Sequence, residues 1–288
     1  AYSVGMFHLF THAFFKALLF LGSGSVILAM HHEQDIRNMG GLWRKIPFTF
    51  AMMCIGTLAL TGFPLFAGYF SKDAIIESAY VAHNPFAIYA FLATVIAAGL
   101  TSFYSWRLIF KTFFGTPHDQ HHYDGAHESP LVMLIPLGVL GAGSLLAGLP
   151  FKGLFAGHGT EEFFRESLKL KPGILEEMHH IPEWIAFTPT VMMVAGFLVS
   201  YLFYIRRPYL PVELANQHQM AYKFLLNKWY FDELYDLIFV RPAKWLGRFL
   251  WKKGDGFVID GLGPDGVSAR VLDVARNVKL MQTGYLYH

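Results

Sequence analysis

The sequence predicts an all-α, polytopic membrane helix bundle with a discontinuous transmembrane helix and a long lateral amphipathic helix. Three observations predict it: the apolar composition, five long apolar runs, and paired apolar and basic stripes near the C-terminal end. Of the 288 residues, 54% are hydrophobic and 15% are charged, whereas a soluble domain carries about 25% charged residues. The formal net charge is only +2, so we expect the lipid bilayer as a partner and no nucleic acid.

The apolar runs set the number of predicted spans, because about 20 apolar residues cross the hydrocarbon core as a helix. Five segments reach that length, at 3–30, 47–80, 86–113, 131–150 and 184–205. They define a predicted transmembrane bundle over residues 1–207, of about five spans, and leave 208–288 as a separate interfacial region. The sequence begins at Ala1 without a recognisable signal peptide, and we expect it to be a piece of a longer chain.

The second segment contains the stretch "LTGFPLFAGYFSKD", from Leu60 to Asp73. A straight helix over 47–80 would be about 50 Å long, which overshoots a hydrocarbon core of about 30 Å. Proline lacks a backbone donor and glycine adopts unusual dihedral angles, so we predict a break around Gly62, Pro64 and Gly68. Irregular backbone at membrane depth survives only inside protein or beside water. The stretch therefore indicates a discontinuous helix beside an interior pathway.

Basic residues in short loops predict the orientation, since lysine and arginine favour the cytoplasmic side. They follow the first segment and end the third and fifth: Arg37, Arg44, Lys45, Arg107, Lys111, Arg206 and Arg207. We expect all three ends on one side, the cytoplasm. The 151–183 loop does not count as a basic loop, because its acidic residues outnumber its basic ones. The acidic residues are Glu161, Glu162, Glu166, Glu176 and Glu177, and the basic residues are Lys152, Arg165, Lys169 and Lys171.

Beyond Arg207 the pattern changes to an amphipathic one. Apolar residues recur at helical spacing (Leu234, Ile238, Trp245, Phe249) beside a basic stripe (Arg241, Lys244, Arg248, Lys252). Such side-by-side stripes are typical of a helix that lies in the membrane interface. The stretch "GDGFVIDGLGPDG" is expected to kink it. A helical 212–283 would reach on the order of 100 Å, which favours a brace across neighbouring proteins over a surface helix on its own subunit.

The first segment carries three titratable residues on one face. His8, His12 and Lys16 are spaced i, i+4, i+8, which stacks them along a helix. A charge at the bilayer centre costs roughly 3 kcal/mol on insertion scales, so three such groups indicate a hydrated interior and a proton relay. Each residue alone has a structural explanation, as a hydrogen-bonded core histidine or a snorkelling lysine. A zinc site is disfavoured, because no third ligand and no intervening glutamate is evident.

Lys72 and Asp73 follow the predicted break, with Glu77 one turn beyond Asp73. A lysine out of water beside a carboxylate can hold or release a proton, since pairing favours its charge and separation favours the neutral form. The alternative is a solvent-facing pair at a helix end. The break favours the functional interpretation, because ion-coupled transporters place their sites at discontinuous helices.

Two further features predict only structure. The segment "GTPHDQHHYDGAHESP" holds four histidines (His118, His121, His122 and His127), and its glycine, proline and aspartate content favours a flexible surface loop over a metal sink. Cys54 is the one cysteine and lies in an apolar run, where we expect a free core thiol.

The stretches "HLFTHAFFKALLFLGSGSVI", "HHEQDIRNMGGL" and "GFPLFAGYFSKD" closely resemble the antiporter-like membrane subunits of respiratory NADH–quinone oxidoreductase (complex I). "WYFDELYDLIFVRP" and the amphipathic tail resemble the members of that family that carry a lateral helix. The resemblance covers essentially the whole chain, as the C-terminal half of the family's protein, truncated before a final membrane span.

The resemblance implies a proton-translocating, non-redox subunit of a translocase. His8, His12 and Lys16 match the family's central polar axis, and Lys72, beside Asp73, matches its exit lysine. It implies no cofactor in this subunit, since NADH, FMN, iron–sulfur clusters and quinone belong to other subunits. The implied partners are the sister antiporter-like subunits along the lateral helix. The implied location is a bacterial plasma membrane, with the mitochondrial inner membrane as the alternative.

Two other functions stay open. A subunit of a multi-subunit sodium/proton antiporter would share the broken helix and its lysine but differ in the C-terminal region. A mainly structural clamp would use the lateral helix to hold the membrane arm together and would not need Lys72.

Overall fold

The protein is described by a computed structural model that covers residues 2–157, 159–168, 177–178 and 180–286. These residues form helices joined by turns, with no β-strand among them, which confirms the all-α prediction. The chain divides into two compact units, Ala1–Val212 and Glu213–His288. Of the acidic and basic residues considered in the 151–183 loop, Lys169, Lys171 and Glu176 lie outside the described residues.

The first unit is built around helix α1, Tyr2–Ala29. It packs against α2 (Pro47–Thr61) and α3 (Ala67–Tyr80), and α4 (Ala87–Phe113) packs against both of these. Pro47 occupies the first turn of α2, where a missing N–H costs nothing. A polar face of α1 thereby lies against the segment that contains the break.

The break separates α2 from α3, where the sequence predicts it. Gly62 ends α2 at φ 82°, in the left-handed region that glycine adopts readily. Leu65 has φ 77°, and α3 begins at Ala67. A Cβ on Gly68 would collide with the carbonyl of Ala59, so the backbones of α2 and α3 meet at this glycine. The predicted discontinuous helix is therefore present, as two short helices in close contact.

The next helices contain a bend that the sequence analysis did not predict. They are α5 (Gln120–Gly125), α6 (Leu131–Leu146), α7 (Leu149–Ala156) and α8 (Thr160–Phe164). Helices α6 and α7 are bent by 59° at their junction. Pro150 lies in the first turn of α7 and its ring disfavours helical continuation from the preceding residues. The predicted single segment 131–150 is thus a bent pair.

Helix α5 corrects one prediction. The histidine-rich segment was expected to be a flexible loop, but Asp119 caps a short helix by accepting a hydrogen bond from the His122 N–H at 3.2 Å. Beyond it, the Glu128 carboxylate accepts hydrogen bonds from the N–H groups of Phe48 (2.6 Å) and Thr49 (3.0 Å). The segment is therefore anchored to the first turn of α2.

Three helical stretches among the described residues are long and apolar enough to cross a membrane, and the bent pair makes a fourth. They are Tyr2–Ala29, Ala87–Phe113 and Glu183–Arg206; the last joins α9 (Glu183–Tyr201) to a π-helical turn, Leu202–Arg206. The remaining predicted span, 47–80, is present as α2 and α3, of 15 and 14 residues.

The basic ends of three helical segments lie at one end of the bundle. The Gly41 N–H, in the loop after α1, donates to the carbonyl of Phe114 just past α4, at 3.1 Å. The guanidinium of Arg107 lies 5.6 Å from the ring centre of Tyr204. Tyr204 is two residues before Arg206. The predicted grouping of these ends is confirmed, and their assignment to the cytoplasm stays a prediction.

The second unit is a succession of helices without a core of its own. Five helices of this part of the chain contain no buried residue: α10 (Leu210–Gln217, whose first three residues are counted with the first unit), α11 (Gln219–Leu226), α12 (Phe231–Tyr235), α13 (Arg241–Phe249) and α14 (Pro264–Met281). Two π-helical stretches, Asp236–Val240 and Leu250–Asp260, continue α12 and α13. The interruption expected over "GDGFVIDGLGPDG" is confined to its end, where Gly263 leaves helical geometry.

Candidate functional site

The polar stripe of α1 lies at the edge of that helix's buried face. Phe7, Thr11 and Phe15 are buried, while the three predicted residues His8, His12 and Lys16 are each half-buried. The rings of His8 and His12 are 5.7 Å apart between centres, and that of Phe15 lies 5.2 Å from His12. The first two members of the stripe are therefore neighbours beside an aromatic wall.

Ser71 joins this stripe to helix α3. Its hydroxyl lies 3.0 Å from Nδ1 of His8 and 2.7 Å from the hydroxyl of Thr11. Ser71 and Thr11 are fully buried, and the position of Ser71 is one residue before Lys72. Hydroxyl groups both donate and accept, so His8, Thr11 and Ser71 form a hydrogen-bonded contact between α1 and the lysine-bearing helix.

Lys72 lies at the break itself. Its ammonium donates a hydrogen bond to the backbone carbonyl of Thr61 at 3.3 Å. Thr61 is the last residue of α2, and the carbonyls of a final helical turn have no partner within the helix. The negative end of the helix dipole favours a cation at this position. The break thus supplies Lys72 with an acceptor that an uninterrupted helix would not offer.

Asp73 is buried beside Lys72, with 9% of its surface exposed. The side chains of Lys72 and Asp73 both border Gly62, because a Cβ there would lie 3.5 Å from Lys72 Cδ and 3.9 Å from Asp73 Oδ1. Within the described residues the two form no ion pair. Glu77 is half-buried one turn further along α3. The lysine is therefore held by backbone, with two carboxyl groups nearby on its own helix.

Lys16 lies apart from this junction. It is eight residues beyond His8, roughly 12 Å along a helix, and no hydrogen bond links it to α3. It lines a cleft of about 200 Å³ between α1, α2 and α4, together with Ser23, Thr57 and Ser105. The structure thus brings His8 into contact with α3, keeps His12 beside His8 on α1, and places Lys16 beside a separate cleft.

Sequence reasoning missed three participants: Thr11, Thr61 and Ser71. A single serine or threonine on an apolar helix gives no periodic signal, and the contribution of Thr61 is its backbone carbonyl, which every residue has. The position of Ser71 beside Lys72 offered the one available clue. Thr11 lies one residue before His12, on the same side of α1 as His8.

Comparisons with known proteins show what this chain is similar to. A family model described as "NADH:quinone oxidoreductase/Mrp antiporter, TM" matches residues 1–97. NADH-quinone oxidoreductase subunit L of Rhodobacter capsulatus is 46% identical, over 100% of this chain and 50% of that protein. The corresponding protein of Neisseria meningitidis serogroup A is 36% identical, over 100% of this chain and 46% of its own length.

A relative with a different name is similar over the same extent. NADH-ubiquinone oxidoreductase chain 5 of Phytophthora infestans is 37% identical, over 100% of this chain and 44% of that protein. The chain spans about half the length of the curated relatives it matches. The similarity to these relatives includes the C-terminal region, beyond the 97 residues of the family model.

Proposed function

Because this chain belongs to the antiporter-like membrane subunits of NADH–quinone oxidoreductase, we propose that it carries protons across the membrane. The proposed path includes His8, His12 and Lys16 on α1, crosses to Lys72 on α3, and leads from there to the opposite side. Asp73 tunes the charge of Lys72. The chain itself performs no redox chemistry, and the oxidation of NADH and the reduction of quinone take place in other subunits.

The observation that carries the proposal is the hydrogen-bonded junction at Ser71. A proton relay requires groups within hydrogen-bond reach or connected by water. His8 meets Ser71 at 3.0 Å, and the next residue is the lysine at the break. A charged side chain inside a membrane protein faces a polar interior or a water-filled cavity. This contact supports the proposal that the stripe on α1 and the lysine on α3 belong to one polar axis.

The side chains at the junction suit proton transfer, because each of them can both accept and release a proton. A histidine ring accepts a proton on one nitrogen and releases one from the other, and a hydroxyl can pass a proton on by rotating. Lys72 binds the proton most tightly when its ammonium faces the carbonyl of Thr61. Release then requires the ammonium to leave that carbonyl, so movement of the lysine side chain would gate the exit.

We further propose that the second unit braces the membrane arm against sister subunits. Trp245 is 63% exposed and Phe249 is 50% exposed, and their rings stack at 5.9 Å. Exposed aromatic residues at helical spacing are typical of a surface that another protein or lipid covers. The long similarity to subunit L beyond residue 97 favours this role over that of a subunit of a sodium/proton antiporter.

Replacing Lys72 by methionine tests proton transfer. The substitution keeps the length and apolar bulk of the side chain but removes its titratable amine. We expect the complex to assemble and the protons pumped per NADH oxidised, measured in liposomes, to fall. Lys279→Met is the matched control, because Lys279 lies on exposed α14. Unchanged pumping in Lys72→Met would make the lysine structural and favour the clamp function.

A further inference from the structure

Thr11 has more hydrogen-bond partners than it has hydrogens to give. Its hydroxyl oxygen lies 2.7 Å from the hydroxyl of Ser71, 3.1 Å from the carbonyl of His8 and 3.3 Å from that of Phe7. A hydroxyl group carries a single hydrogen and two acceptor lone pairs, and a backbone carbonyl can only accept. The direction of the Thr11 hydrogen therefore decides what Ser71 must do.

The hydroxyl group of Thr11 has acceptors within its own helix. Threonine inside a helix can bond to a carbonyl one turn back, as Thr94 of α4 does to Ala90 at 2.8 Å. When its hydrogen is directed at such a carbonyl, Thr11 can meet Ser71 only as an acceptor. The Ser71 hydroxyl then donates to Thr11, and its one hydrogen is used.

This arrangement determines which nitrogen of His8 carries a hydrogen. The hydroxyl oxygen of Ser71 lies 3.0 Å from Nδ1 of His8, and with its hydrogen on Thr11 it can only accept there. The ring hydrogen must therefore be on Nδ1. A neutral imidazole has one donor nitrogen and one acceptor nitrogen, so Nε2, which Ser71 does not contact, is left as the acceptor.

The opposite arrangement contains one hydrogen bond fewer. Thr11 would donate to Ser71, and Ser71 would donate to Nδ1 of His8, whose ring hydrogen would then be on Nε2. The carbonyls of Phe7 and His8 would lose the Thr11 hydrogen. One neutral hydrogen bond shifts such an equilibrium about five-fold. Without Thr11, the intrinsic preference of a histidine side chain, which places the hydrogen on Nε2, would decide the form of the ring.

We propose that Thr11 is a positioning residue that keeps the hydrogen of neutral His8 on Nδ1 and so makes Nε2 the atom that accepts the incoming proton. The inference rests on the proposed function of the stripe as part of a proton path. Thr11 itself carries no proton along that path, because it acts through the hydroxyl group of Ser71.

The assignment gives the transfer at His8 an order. A proton that binds at Nε2 converts the ring to an imidazolium, in which both nitrogens donate. The ring becomes neutral again when its Nδ1 hydrogen passes to Ser71, whose hydroxyl turns from Thr11 and gives up its own hydrogen towards Lys72. The remaining ring hydrogen is then on Nε2. The ring must return to the form with a hydrogen on Nδ1 before it accepts the next proton, and Thr11 favours that form.

Two substitutions of Thr11 test the position of the ring hydrogen. Thr11→Val removes the hydroxyl group and keeps the branched shape, whereas Thr11→Ser keeps the hydroxyl group. The stretching band of the Cγ–Cδ2 bond differs between the two neutral forms of histidine. We would record it by Raman spectroscopy of the purified complex at mildly alkaline pH, where imidazole is neutral, and subtract the spectrum of the matching His8→Gln complex.

We expect the His8 band of the unsubstituted protein to be that of the form with a hydrogen on Nδ1. Thr11→Ser should show the same band, and Thr11→Val should show that of the form with a hydrogen on Nε2. These spectra are taken from the resting complex and do not depend on turnover.

Protons pumped per NADH oxidised give the functional arm of the test. We expect Thr11→Val to lower pumping several-fold and Thr11→Ser to retain it. Thr94→Val is the matched control and should pump normally. The hydroxyl of Thr94 bonds to the carbonyls of Ala90 and Phe91 in its own helix, at 2.8 and 2.9 Å, but within the described residues it has no hydrogen bond to another side chain.

Three results would overturn the proposal. They are a hydrogen on Nε2 in the unsubstituted protein, a hydrogen still on Nδ1 in Thr11→Val, and normal pumping by Thr11→Val despite a changed band. Loss of pumping in Thr11→Ser with an unchanged band would also overturn it, because the hydroxyl group would then be insufficient. Unchanged pumping in Lys72→Met, by contrast, would overturn the proposed function and leave the position of the ring hydrogen standing.

Discussion

At the scale of single residues, Ser71 carries the side-chain hydrogen bonds that join α1 to α3. Its hydroxyl reaches both His8 and Thr11. Ser78, also buried on α3, bonds only to the carbonyl of Ile75 in its own helix, at 2.8 Å. The two serines therefore share burial and helix but differ in whether they touch α1.

Ser71→Ala removes this contact and leaves the lysine in place. We expect proton pumping per NADH to fall several-fold, because no other side chain of α3 hydrogen-bonds to the stripe. The loss in stability should be modest, since each hydrogen bond contributes about 1 kcal/mol. Ser78→Ala should pump normally. Equal pumping by the two variants would show that protons do not pass the junction.

Lys72→Arg separates the charge of Lys72 from its ability to give up a proton. A guanidinium keeps its proton throughout the physiological pH range, so the variant retains the cation at the end of α2 but cannot release a proton there. We expect it to pump as poorly as Lys72→Met. Restored pumping, measured in the same liposomes, would mean that Lys72 acts only as a fixed charge.

At the scale of helices, the close approach of α2 and α3 sets the position of Lys72. It depends on Gly68, where a Cβ would collide with the carbonyl of Ala59. Gly24, in α1, has open space around its Cβ position. Alanine at these two positions adds the same methyl group to a helix, once against a backbone and once into free volume.

Gly68→Ala should therefore displace α3 and weaken the hydrogen bond from Lys72 to Thr61. Overpacking of this kind costs about 1–3 kcal/mol, so we expect a lower melting temperature of the purified complex together with reduced pumping. Gly24→Ala should match the unsubstituted protein, or exceed its stability slightly, because alanine favours helix over glycine. A Gly68→Ala complex with normal stability and pumping would contradict this view of the break.

The sequence predicted the helices well and their connections less well. The first apolar run was predicted at 3–30 and forms the helix Tyr2–Ala29. The break was predicted at Gly62 to Gly68, and this was possible because glycine, proline and excess length are local signals. The bend at Gly148 has a local signal in Pro150 that the sequence analysis did not use, whereas the junction at Ser71 depends on which helices pack together. The helix at Gln120–Gly125 depends on a cap, and Asp119 was read as a loop residue.

At the scale of the whole molecule, the two units differ in how they are stabilised. The first has a core of buried residues around α1, with Phe7, Phe15 and Leu18 among the largest. The helices of the second unit bury no residue. Since most helical stability in proteins comes from packing, we expect the second unit to require an external surface to hold its conformation.

Trp245→Ser combined with Phe249→Ser tests which surface that is. We expect the yield of intact complex, measured by native gel electrophoresis, to fall about ten-fold or more, since truncating an aromatic anchor costs about 2 kcal/mol. Lys244→Ser with Arg248→Ser removes charge from the same helix and should leave assembly intact. The brace is wrong if both double variants assemble normally, and anionic lipid is the favoured partner if only the second fails.

The acceptor that holds Lys72 is a main-chain carbonyl, at Thr61. Substitution of Thr61 therefore does not remove this acceptor, because any amino acid at position 61 that keeps α2 intact presents the same oxygen. Mutational scans of α2 would pass over it, and sequence drift at position 61 would leave it in place. A backbone ester between Thr61 and Gly62, which weakens that carbonyl as an acceptor without altering a side chain, is the kind of change that would reveal it.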